Sequence, residues 1–197
     1  MREVARYLIE LGSLKRIPRA GWGKITSESV ESVAEHCHRA TVLGYALATL
    51  EGANPDRVAS LLAFHDAHET RMGDLTPQGK KYLHKLEEAE GACLGDQIRP
   101  LPQPLRSAVL SIHEEYRSQE TMESRIARDA DRLDCALQAL ELVAQGRNQA
   151  LELFERNLAL LKTPTAQGLG AFLVSELRAG RLGALVAWWK DGAAGRT

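Results

Sequence analysis

The amino-acid sequence predicts an all-α protein, a compact multi-helix bundle. Apolar residues recur every three or four positions through nearly the whole chain, which is the period of an amphipathic helix. No stretch shows the sustained alternation of β-branched residues that indicates a strand. Because 44% of the 197 residues are hydrophobic, the chain can bury a substantial core, and we expect one domain over residues 1–197.

Proline, glycine and capping residues divide this helical pattern into segments. Serines before Val30 can cap the second helix, Pro55 suits the first turn of the third, and Gly73 is a typical end for that helix. Gly180 and Gly183 interrupt the last segment. The predicted helices cover residues 4–15, 30–50, 55–72, 77–98, 104–117, 121–145, 150–161 and 165–190.

The composition argues against several classes of protein. The formal net charge of -1 gives no electrostatic reason to expect a nucleic-acid polymer or an anionic membrane as a partner. Cys37, Cys93 and Cys135 are far apart and outside any C-x-x-C spacing, so we expect free thiols. The N-terminus lacks the apolar segment of a signal peptide, and no apolar run reaches the length of a membrane span. We therefore expect a soluble, cytoplasmic protein.

Two histidines and two aspartates are placed where their side chains face the predicted core. His36 falls within the apolar spacing of the second helix, and His65 does so on the third. Asp66 adjoins His65, and Asp131 lies at the margin of the apolar stripe of residues 121–145. A carboxylate turned toward a core is costly unless it is paired or coordinated. Together the four favour a metal site in the helical core, because imidazole and carboxylate suit manganese, iron, cobalt, nickel or zinc.

Plainer interpretations compete with this one. Each of the four residues alone would be better explained as a hydrogen-bonded core histidine or an ion-paired aspartate. His38 lies two residues past the first histidine and points to nearly the opposite side of its helix, whereas His84, among charged residues, is expected in solvent. His68 is the best rival ligand, although a substrate contact or simple exposure explains it equally well. Asp129 is expected to point elsewhere, and Asp134 could hold a ligand in place.

Three short segments carry a more specific pattern. They are Glu31–His36 (ESVAEH), Phe64–Glu69 (FHDAHE) followed by Gly73-Asp74, and Ala130-Asp131. In this order they resemble the HD-domain metal-dependent phosphohydrolases. The closer resemblance is to the small HD-domain 5′-deoxynucleotidases, whose substrate-binding segment looks like Leu14–Trp22 (LKRIPRAGW). The resemblance covers about residues 10–140.

The resemblance implies an HD-domain bundle that holds one divalent ion: cobalt, manganese, zinc, nickel or magnesium. The catalytic carboxylates of the family match Glu69 and Asp74. Glu69 would orient the attacking water or handle its proton, and Asp74 would supply a proton to the departing 5′ oxygen. Without the resemblance, Glu69 could be a solvated helix residue and Asp74 a turn or cap residue. The implied metal ligands are His36, His65, Asp66 and Asp131.

The resemblance also implies residues that contact the substrate. Arg19 matches a substrate-binding arginine, whose guanidinium suits phosphate. Trp22 matches an aromatic residue that would pack on the sugar or base and make a 2′-hydroxyl costly to bury. His68 and Glu115 are further candidates for substrate contact. From the residues alone, Arg19 and Trp22 could equally pin their loop to the surface, and Glu115 could only cap the rim of the site.

The function that the resemblance implies is removal of the 5′-phosphate from deoxyribonucleoside monophosphates, so the expected partner is a small-molecule nucleotide. Two alternatives stay open: an HD phosphohydrolase acting on a dNTP, a cyclic nucleotide or an alarmone, and a non-catalytic regulator that binds metal or nucleotide. Residues 148–190 carry no motif that we can match. We expect these helices, with Trp188-Trp189, to serve packing or a homodimer contact, since members of this family are commonly dimers.

Overall fold

Helices make up the regular structure of residues 1–187, the part of the chain that this computed structural model describes. No strand occurs in this range, only an isolated bridge between Pro18 and Ser32, and the predicted all-α class is confirmed. None of the described helices is both long and apolar enough to cross a bilayer. The helices are α1 (Arg2–Leu11), α2 (Val33–Glu51), α3 (Pro55–Phe64), α4 (Glu69–Met72), α5 (Pro77–Lys80), α6 (Leu86–Ile98), α7 (Gln103–Ser118), α8 (Met122–Ala144), α9 (Leu151–Leu158), α10 (Pro164–Arg178) and α11 (Leu182–Val186).

The long helices α2, α7 and α8 lie within a few residues of their predicted bounds. Gly180 separates α10 from α11 with a φ of 68°, a conformation that glycine adopts readily, as its place in the sequence indicated. The first predicted helix is shorter than expected, because residues after Leu11 form a 3-10 turn, Gly12–Arg16. The predicted end of the last helix and the pair Trp188-Trp189 lie outside the described residues.

The prediction of one helix over residues 55–72 is wrong. The helix ends at Phe64, and the chain passes through tight turns before α4 begins at Glu69. In these turns the amide of Ala67 donates to the Phe64 carbonyl, and the amide of Glu69 donates to the Asp66 carbonyl. Such bonds span three residues instead of four, so the backbone is tighter than an α-helix. Periodicity could not show this change, because apolar residues continue across it.

The predicted helix over residues 77–98 is also divided, into α5 and α6. The residues between them are exposed, and Lys85 adopts a left-handed φ of 61° immediately before α6. A helix in water depends mostly on packing of its apolar face. Tyr82 is 82% exposed, so this segment has no such face against the core.

Helix α8 organises the core. Its first half, including Ile126, Ala130 and Leu133, packs with α2 and α3. Its second half, including Ala139 and Leu140, packs with α9, α10 and α11. A residue in the middle of α8 therefore lies where the two packing regions meet.

Two local features place α2 against its neighbours. Ser32 caps the helix in a reciprocal arrangement with Glu35: Ser32 Oγ accepts from the Glu35 amide at 3.3 Å, and Glu35 Oε2 accepts from the Ser32 amide at 2.6 Å. Helix α2 thus begins at Val33, three residues before His36. Further along, a Cβ added at Gly44 would meet Leu62 Cδ1 and lie 2.9 Å from Val58 Cγ1. The missing side chain lets α2 approach α3 closely.

We expect Gly44→Ala to lower the free energy of unfolding by about 1–3 kcal/mol, because the added methyl group overpacks a fully buried contact. Urea denaturation measures this change. Gly95→Ala is the matched control, since Gly95 lies in α6 and a Cβ there would have nothing within 4 Å. The control should be neutral or stabilising by about 0.5–1 kcal/mol. Equal stability of the two variants would contradict the close approach of α2 and α3.

Candidate metal centre and active-site cavity

Four side chains from three parts of the bundle meet in the core. His36 comes from α2, His65 and Asp66 from the turn after α3, and Asp131 from the middle of α8. His36 Nε2 lies 3.2 Å from Asp131 Oδ1 and 3.7 Å from Asp66 Oδ2. His65 Nε2 lies 3.1 Å from Asp66 Oδ2 and 3.9 Å from Asp131 Oδ1. The structure therefore brings together all four residues that the sequence singled out as ligands.

The other ring nitrogen of each histidine is held by an acceptor. His36 Nδ1 lies 2.6 Å from Asp134 Oδ2, and His65 Nδ1 lies 2.7 Å from the Leu62 carbonyl oxygen. A carboxylate and a carbonyl only accept hydrogen bonds, so each Nδ1 carries the proton and donates it. Each Nε2 is buried and faces the carboxylates of Asp66 and Asp131, where it offers a lone pair to a cation when the ring is neutral.

This donor set fits a divalent cation. Ligand atoms at about 2.1 Å from one ion lie roughly 3 to 3.5 Å apart, close to the separations found here. His36, His65 and Asp131 each offer one ligand atom within 4.8 Å of the others, and Asp66 reaches both rings. Cys37 forms another possible group with His65 and Asp66, but its Sγ lies 4.0 Å from Nδ1, the ring nitrogen that already bonds to a carbonyl. Imidazole with carboxylate is a set that transition-metal ions accept.

The charges at this centre also favour a cation. Burial disfavours an imidazolium, yet hydrogen bonds with Asp131 and Asp134 raise the pKa of His36 to about 9. Burial acts in the same way on His65, and the charge of Asp66 outweighs it, so the pKa of His65 is well above its usual value. Conversely, the histidines hold the pKa of both ligand aspartates below the usual range in spite of burial. A divalent ion would supply the positive charge that these carboxylates attract.

A cavity of about 300 Å³ opens onto Asp66 and Asp131, and Glu69 lines the same cavity. This volume is at the lower end of the range for small-molecule sites. Glu69 is only 3% exposed, and its Oε2 has no hydrogen-bond partner. Burial, with the charges of Asp66 and Asp74, raises the pKa of Glu69 to about 10. The cavity therefore holds a carboxyl group that can carry a proton beside the proposed ligands.

Arg19 and Asp74 are fixed to each other at the wall of this cavity. Arg19 Nη1 donates to Asp74 Oδ1 at 3.3 Å, and the amide of Ala20 donates to Asp74 Oδ2 at 2.7 Å. Arg19 Nη1 also lies 3.8 Å from Asp66 Oδ2, and Nη2 donates to Cys135 Sγ at 3.2 Å. Asp74 thus anchors the loop that carries the arginine and holds the guanidinium beside the metal centre.

Trp22 lines the cavity while most of its ring belongs to the core. The side chain is 4% exposed, and its Nε1 donates to Glu31 Oε1 at 2.9 Å. A buried indole N–H generally needs such a partner. The bond fixes the plane of the ring, so the edge that faces the cavity is a rigid apolar surface.

Two expected substrate contacts do not line this cavity. Glu115 accepts from Arg57 Nε at 2.8 Å and from Thr121 Oγ1 at 2.8 Å, so both carboxylate oxygens are engaged elsewhere. His68 is buried, and its Nε2 lies 3.7 Å from Glu90 Oε1. The expectation that His68 shares a face with His65 assumed a continuous helix, which the turn after α3 interrupts. A substrate contact for His68 or Glu115 is therefore not supported.

The remaining polar candidates are found as follows. His38 and His84 are exposed, as expected. Asp129 is fully buried and accepts from the amides of Lys162 and Thr163 at 2.8 and 2.7 Å, so it points away from the metal centre. Asp134 supports His36, and Arg39 in turn donates to Asp134.

Sequence reasoning missed much of the cavity wall. Arg128 and Cys135 lie on α8 three and four residues from Asp131, so helix periodicity could have indicated them, whereas Arg132 directly follows Asp131 and could not be found in this way. No local signal pointed to the contribution of α9, because a contact between segments so distant in sequence leaves no periodic pattern. That helix was expected only to pack or to form a dimer contact. The wall residues missed are Lys80, Arg128, Arg132, Cys135, Leu153, Arg156 and Asn157.

Known proteins share this sequence pattern. A family model described as HD domain matches residues 11–168. The 5′-deoxynucleotidase HDDC2 of Xenopus laevis is 31% identical over 140 residues, which are 71% of this chain and 69% of that protein. A 5′-deoxynucleotidase of Erwinia tasmaniensis is 31% identical over 157 residues, which are 75% of this chain and 78% of that protein.

Solved structures share the fold. A conserved hypothetical protein from Pyrococcus furiosus superposes with a TM-score of 0.72 at 29% identity, covering 89% of this chain and 99% of that one. A predicted metal-dependent phosphohydrolase from Magnetospirillum magnetotacticum superposes with a TM-score of 0.68 at 24% identity, covering 91% of this chain and 94% of that one. At the latter identity the likeness shows the fold alone.

We expect a divalent ion such as Mn²⁺ or Co²⁺ to raise the thermal unfolding temperature of the protein. An ion that binds only the folded state, at about 100 times its Kd, stabilises that state by about 2.7 kcal/mol. Asp66→Asn should lose most of this shift, because it removes one ligand charge. His38→Gln is the control, since His38 is exposed two residues from His36. The same shift in all three proteins would contradict a centre at these residues.

Asp134→Asn should weaken the affinity for the metal ion by about 10- to 100-fold, as is common when the partner of a ligand histidine is changed. The amide can donate toward His36 Nδ1 as well as accept, so it no longer fixes the tautomer. Calorimetric titration with Mn²⁺ measures the change. Glu141→Gln is the control, because Glu141 binds the same Arg39 at 2.8 Å without reaching the histidine. An unchanged affinity in Asp134→Asn would remove Asp134 from the centre.

Proposed function

The chain belongs to the HD-domain family, and from this premise we propose that it is a metal-dependent 5′-deoxynucleotidase. It takes a deoxyribonucleoside monophosphate and water and releases the deoxyribonucleoside and phosphate. The observation that carries the proposal is one cavity that opens onto the proposed metal centre at Asp66 and Asp131 and is also lined by Glu69, Asp74 and Arg19. The two 5′-deoxynucleotidases at 31% identity support the substrate class.

His36, His65, Asp66 and Asp131 would hold one divalent ion, with cobalt, manganese, zinc, nickel and magnesium as the candidates. Bound there, such an ion supplies Lewis acidity toward a phosphate oxygen and lowers the pKa of a coordinated water. The cavity opens directly onto Asp66 and Asp131, so a phosphate entering from solvent can reach the centre.

We assign Glu69 to orienting the attacking water and accepting its proton. Its carboxyl group is buried at the cavity wall, with one oxygen free of any partner. The charge of Asp66 is one cause of its raised pKa, so pairing of Asp66 with a cation favours the ionised form that can accept a proton. Asp74 lines the same cavity and accepts hydrogen bonds with both oxygens, so it would first take up a proton, such as the one released by the attacking water, and then pass a proton to the departing 5′ oxygen.

Arg19 and Trp22 would position the substrate. The guanidinium of Arg19 lies 3.8 Å from a ligand oxygen of Asp66, so a phosphate at the centre comes within its reach. The fixed edge of Trp22 offers an apolar wall for the sugar. A 2′-hydroxyl buried against that wall would lack a partner, which costs about 1–3 kcal/mol and favours deoxyribose.

The competing functions require a different cavity or different chemistry. A triphosphate or an alarmone extends well beyond one phosphate, and the cavity of about 300 Å³ favours a monophosphate. A regulator that only binds metal or nucleotide has no need of Glu69 and Asp74 beside the centre.

We further propose that residues 1–197 act as one domain, that the protein works as a homodimer, and that it acts in the cytoplasm. Val42, Tyr45 and Leu50 leave an exposed apolar strip on the outer side of α2, which supports a contact between copies. The three cysteines are free thiols, as is usual in a reducing compartment.

We expect the Mn²⁺- or Co²⁺-loaded protein to release phosphate from dAMP and dTMP much faster than from AMP, and to leave dNTPs and cyclic nucleotides largely intact. A phosphate assay over this panel measures the rates. Faster hydrolysis of triphosphates or cyclic nucleotides would show that the protein is an HD phosphohydrolase with one of these substrates instead. Binding of nucleotide without hydrolysis of any of them would indicate a regulator.

Glu69→Gln should lower kcat by about 100- to 10,000-fold, the usual contribution of an acid–base group. The affinity for Mn²⁺ should stay nearly unchanged, because Glu69 is not among the proposed ligands. Glu88→Gln, at an exposed carboxylate of α6 paired with Lys85, is the control. A full rate in Glu69→Gln would exclude Glu69 from the chemistry.

A further inference from the structure

Arg128 is held beside the metal centre by stacking. Its guanidinium carbon lies 4.3 Å from the centre of the Tyr116 ring. Tyr116 Oη donates to Asp131 Oδ2 at 3.0 Å, and Arg128 Nη1 lies 3.8 Å from the same oxygen, beyond hydrogen-bond distance. Tyr116 thus fixes both the plane of the guanidinium and one oxygen of a proposed ligand.

The N–H groups of Arg128 are not used within the described part of the chain, where no acceptor lies at hydrogen-bond distance and suitable angle. Two of the other arginines of the cavity differ, and the third, Arg156, is exposed on α9. Arg19 donates to Asp74 and to Cys135, and Arg132 donates to the Leu160 carbonyl at 2.6 Å. Arg128 lines the cavity with a side chain that is 32% exposed, so its donors are accessible to a ligand.

Of the cationic side chains that line the cavity, Arg19 and Arg128 each have a guanidinium nitrogen 3.8 Å from an oxygen of a proposed ligand, Asp66 for Arg19 and Asp131 for Arg128. The cavity wall carries four carboxylates, and the substrate phosphate would bring further negative charge next to them. Lys80, Arg132 and Arg156 also line the cavity, but among the described residues none of them forms an ion pair within 4.0 Å with Asp66 or Asp131. Arg19 is already paired with Asp74. The wall carboxylates are Asp66, Glu69, Asp74 and Asp131.

The second cavity that Arg128 borders is less suited to an anion. It measures about 420 Å³, and its wall includes Glu87, Glu90 and Glu114. Besides Arg128, the only arginine or lysine of residues 1–187 that lines this second cavity is Arg117, which is paired with Glu87 at 3.0 Å. The first cavity has four further arginine and lysine side chains and the proposed metal centre to offset its carboxylates. The free donors of Arg128 therefore serve an anion on the side of the metal centre.

We propose that Arg128 is a second phosphate-binding arginine, which binds the dianionic phosphoryl group of the substrate together with Arg19. The proposal rests on the phosphomonoesterase function above and extends it with a residue that gives preference to a doubly charged monoester. The planar guanidinium offers paired N–H donors that match two phosphate oxygens. Stacking on Tyr116 fixes this plane before the substrate arrives, so little side-chain freedom is lost on binding.

The test is calorimetric titration of the Mn²⁺-loaded protein with inorganic phosphate, next to a titration of the metal-free protein with Mn²⁺. Arg128→Gln should weaken phosphate binding by about 10- to 100-fold, the value of a hydrogen bond to a charged group. Its affinity for Mn²⁺ should stay equal or rise, because a positive charge near Asp131 is removed. Arg128→Lys should recover part of the phosphate affinity, since it restores the charge but not the planar fork.

Arg117→Gln is the matched control, at an arginine 35% exposed that lines only the second cavity of the two. It should bind phosphate like the wild type. A merely structural role of Arg128 predicts the opposite pattern, a loss of Mn²⁺ affinity with phosphate affinity unchanged, and would overturn the proposal. So would equal losses in Arg128→Gln and Arg117→Gln, or no phosphate binding by the wild type. Phosphate binding through Arg128 without release of phosphate from dAMP would instead refute only the nucleotidase assignment.

Discussion

Two buried imidazole rings with fixed protons are the constraint on which the rest of the site depends. Asp134 holds one ring and the Leu62 carbonyl holds the other, so both Nε2 atoms are directed at the carboxylates of Asp66 and Asp131. Two carboxylates face the same point. These carboxylates favour positive charge at the rings, either as a proton on each Nε2 or as one shared cation, and the cation leaves both rings neutral with lone pairs to donate. The positive charge required between the two rings and the two carboxylates indicates a metal site more directly than any single motif does.

The bundle has to deliver these groups from segments far apart in sequence. Gly44 lets α2 lie close against α3, and the central position of α8 places Asp131 between two packing regions. The end of α3 at Phe64 matters as much. Because the following turns are tight, Asp66 and Glu69 both line the cavity, whereas His68 does not and lies 3.7 Å from Glu90. A continuous helix would have placed His68 on the same face as His65, and the end of α3 at Phe64 prevents this.

The sequence was sufficient to predict the direction of a side chain wherever one periodic pattern determined it. Spacing alone directed His36 and His65 inward, and resemblance to HD-domain enzymes added Glu69 and Asp74. The sequence was insufficient where a contact with a distant segment determines the surroundings of a residue. Glu115 looked free for substrate, but Arg57 from another helix engages it. The end of α3 depends on local backbone geometry, and the wall from α9 depends on a contact distant in sequence. Neither leaves a trace in composition or period.

The thiol of Cys135 has a consequence for the chemical resilience of the cavity. Its sulfur accepts a hydrogen bond from Arg19, and a neighbouring cation by itself favours the reactive thiolate. Burial outweighs that influence and raises the pKa of this thiol to about 12, so the thiolate is scarce near neutrality. Peroxides and alkylating agents attack thiolates, so we expect this thiol to react slowly although it lines the cavity. Burial therefore outweighs the activating effect that the neighbouring Arg19 would otherwise have on the Cys135 thiol.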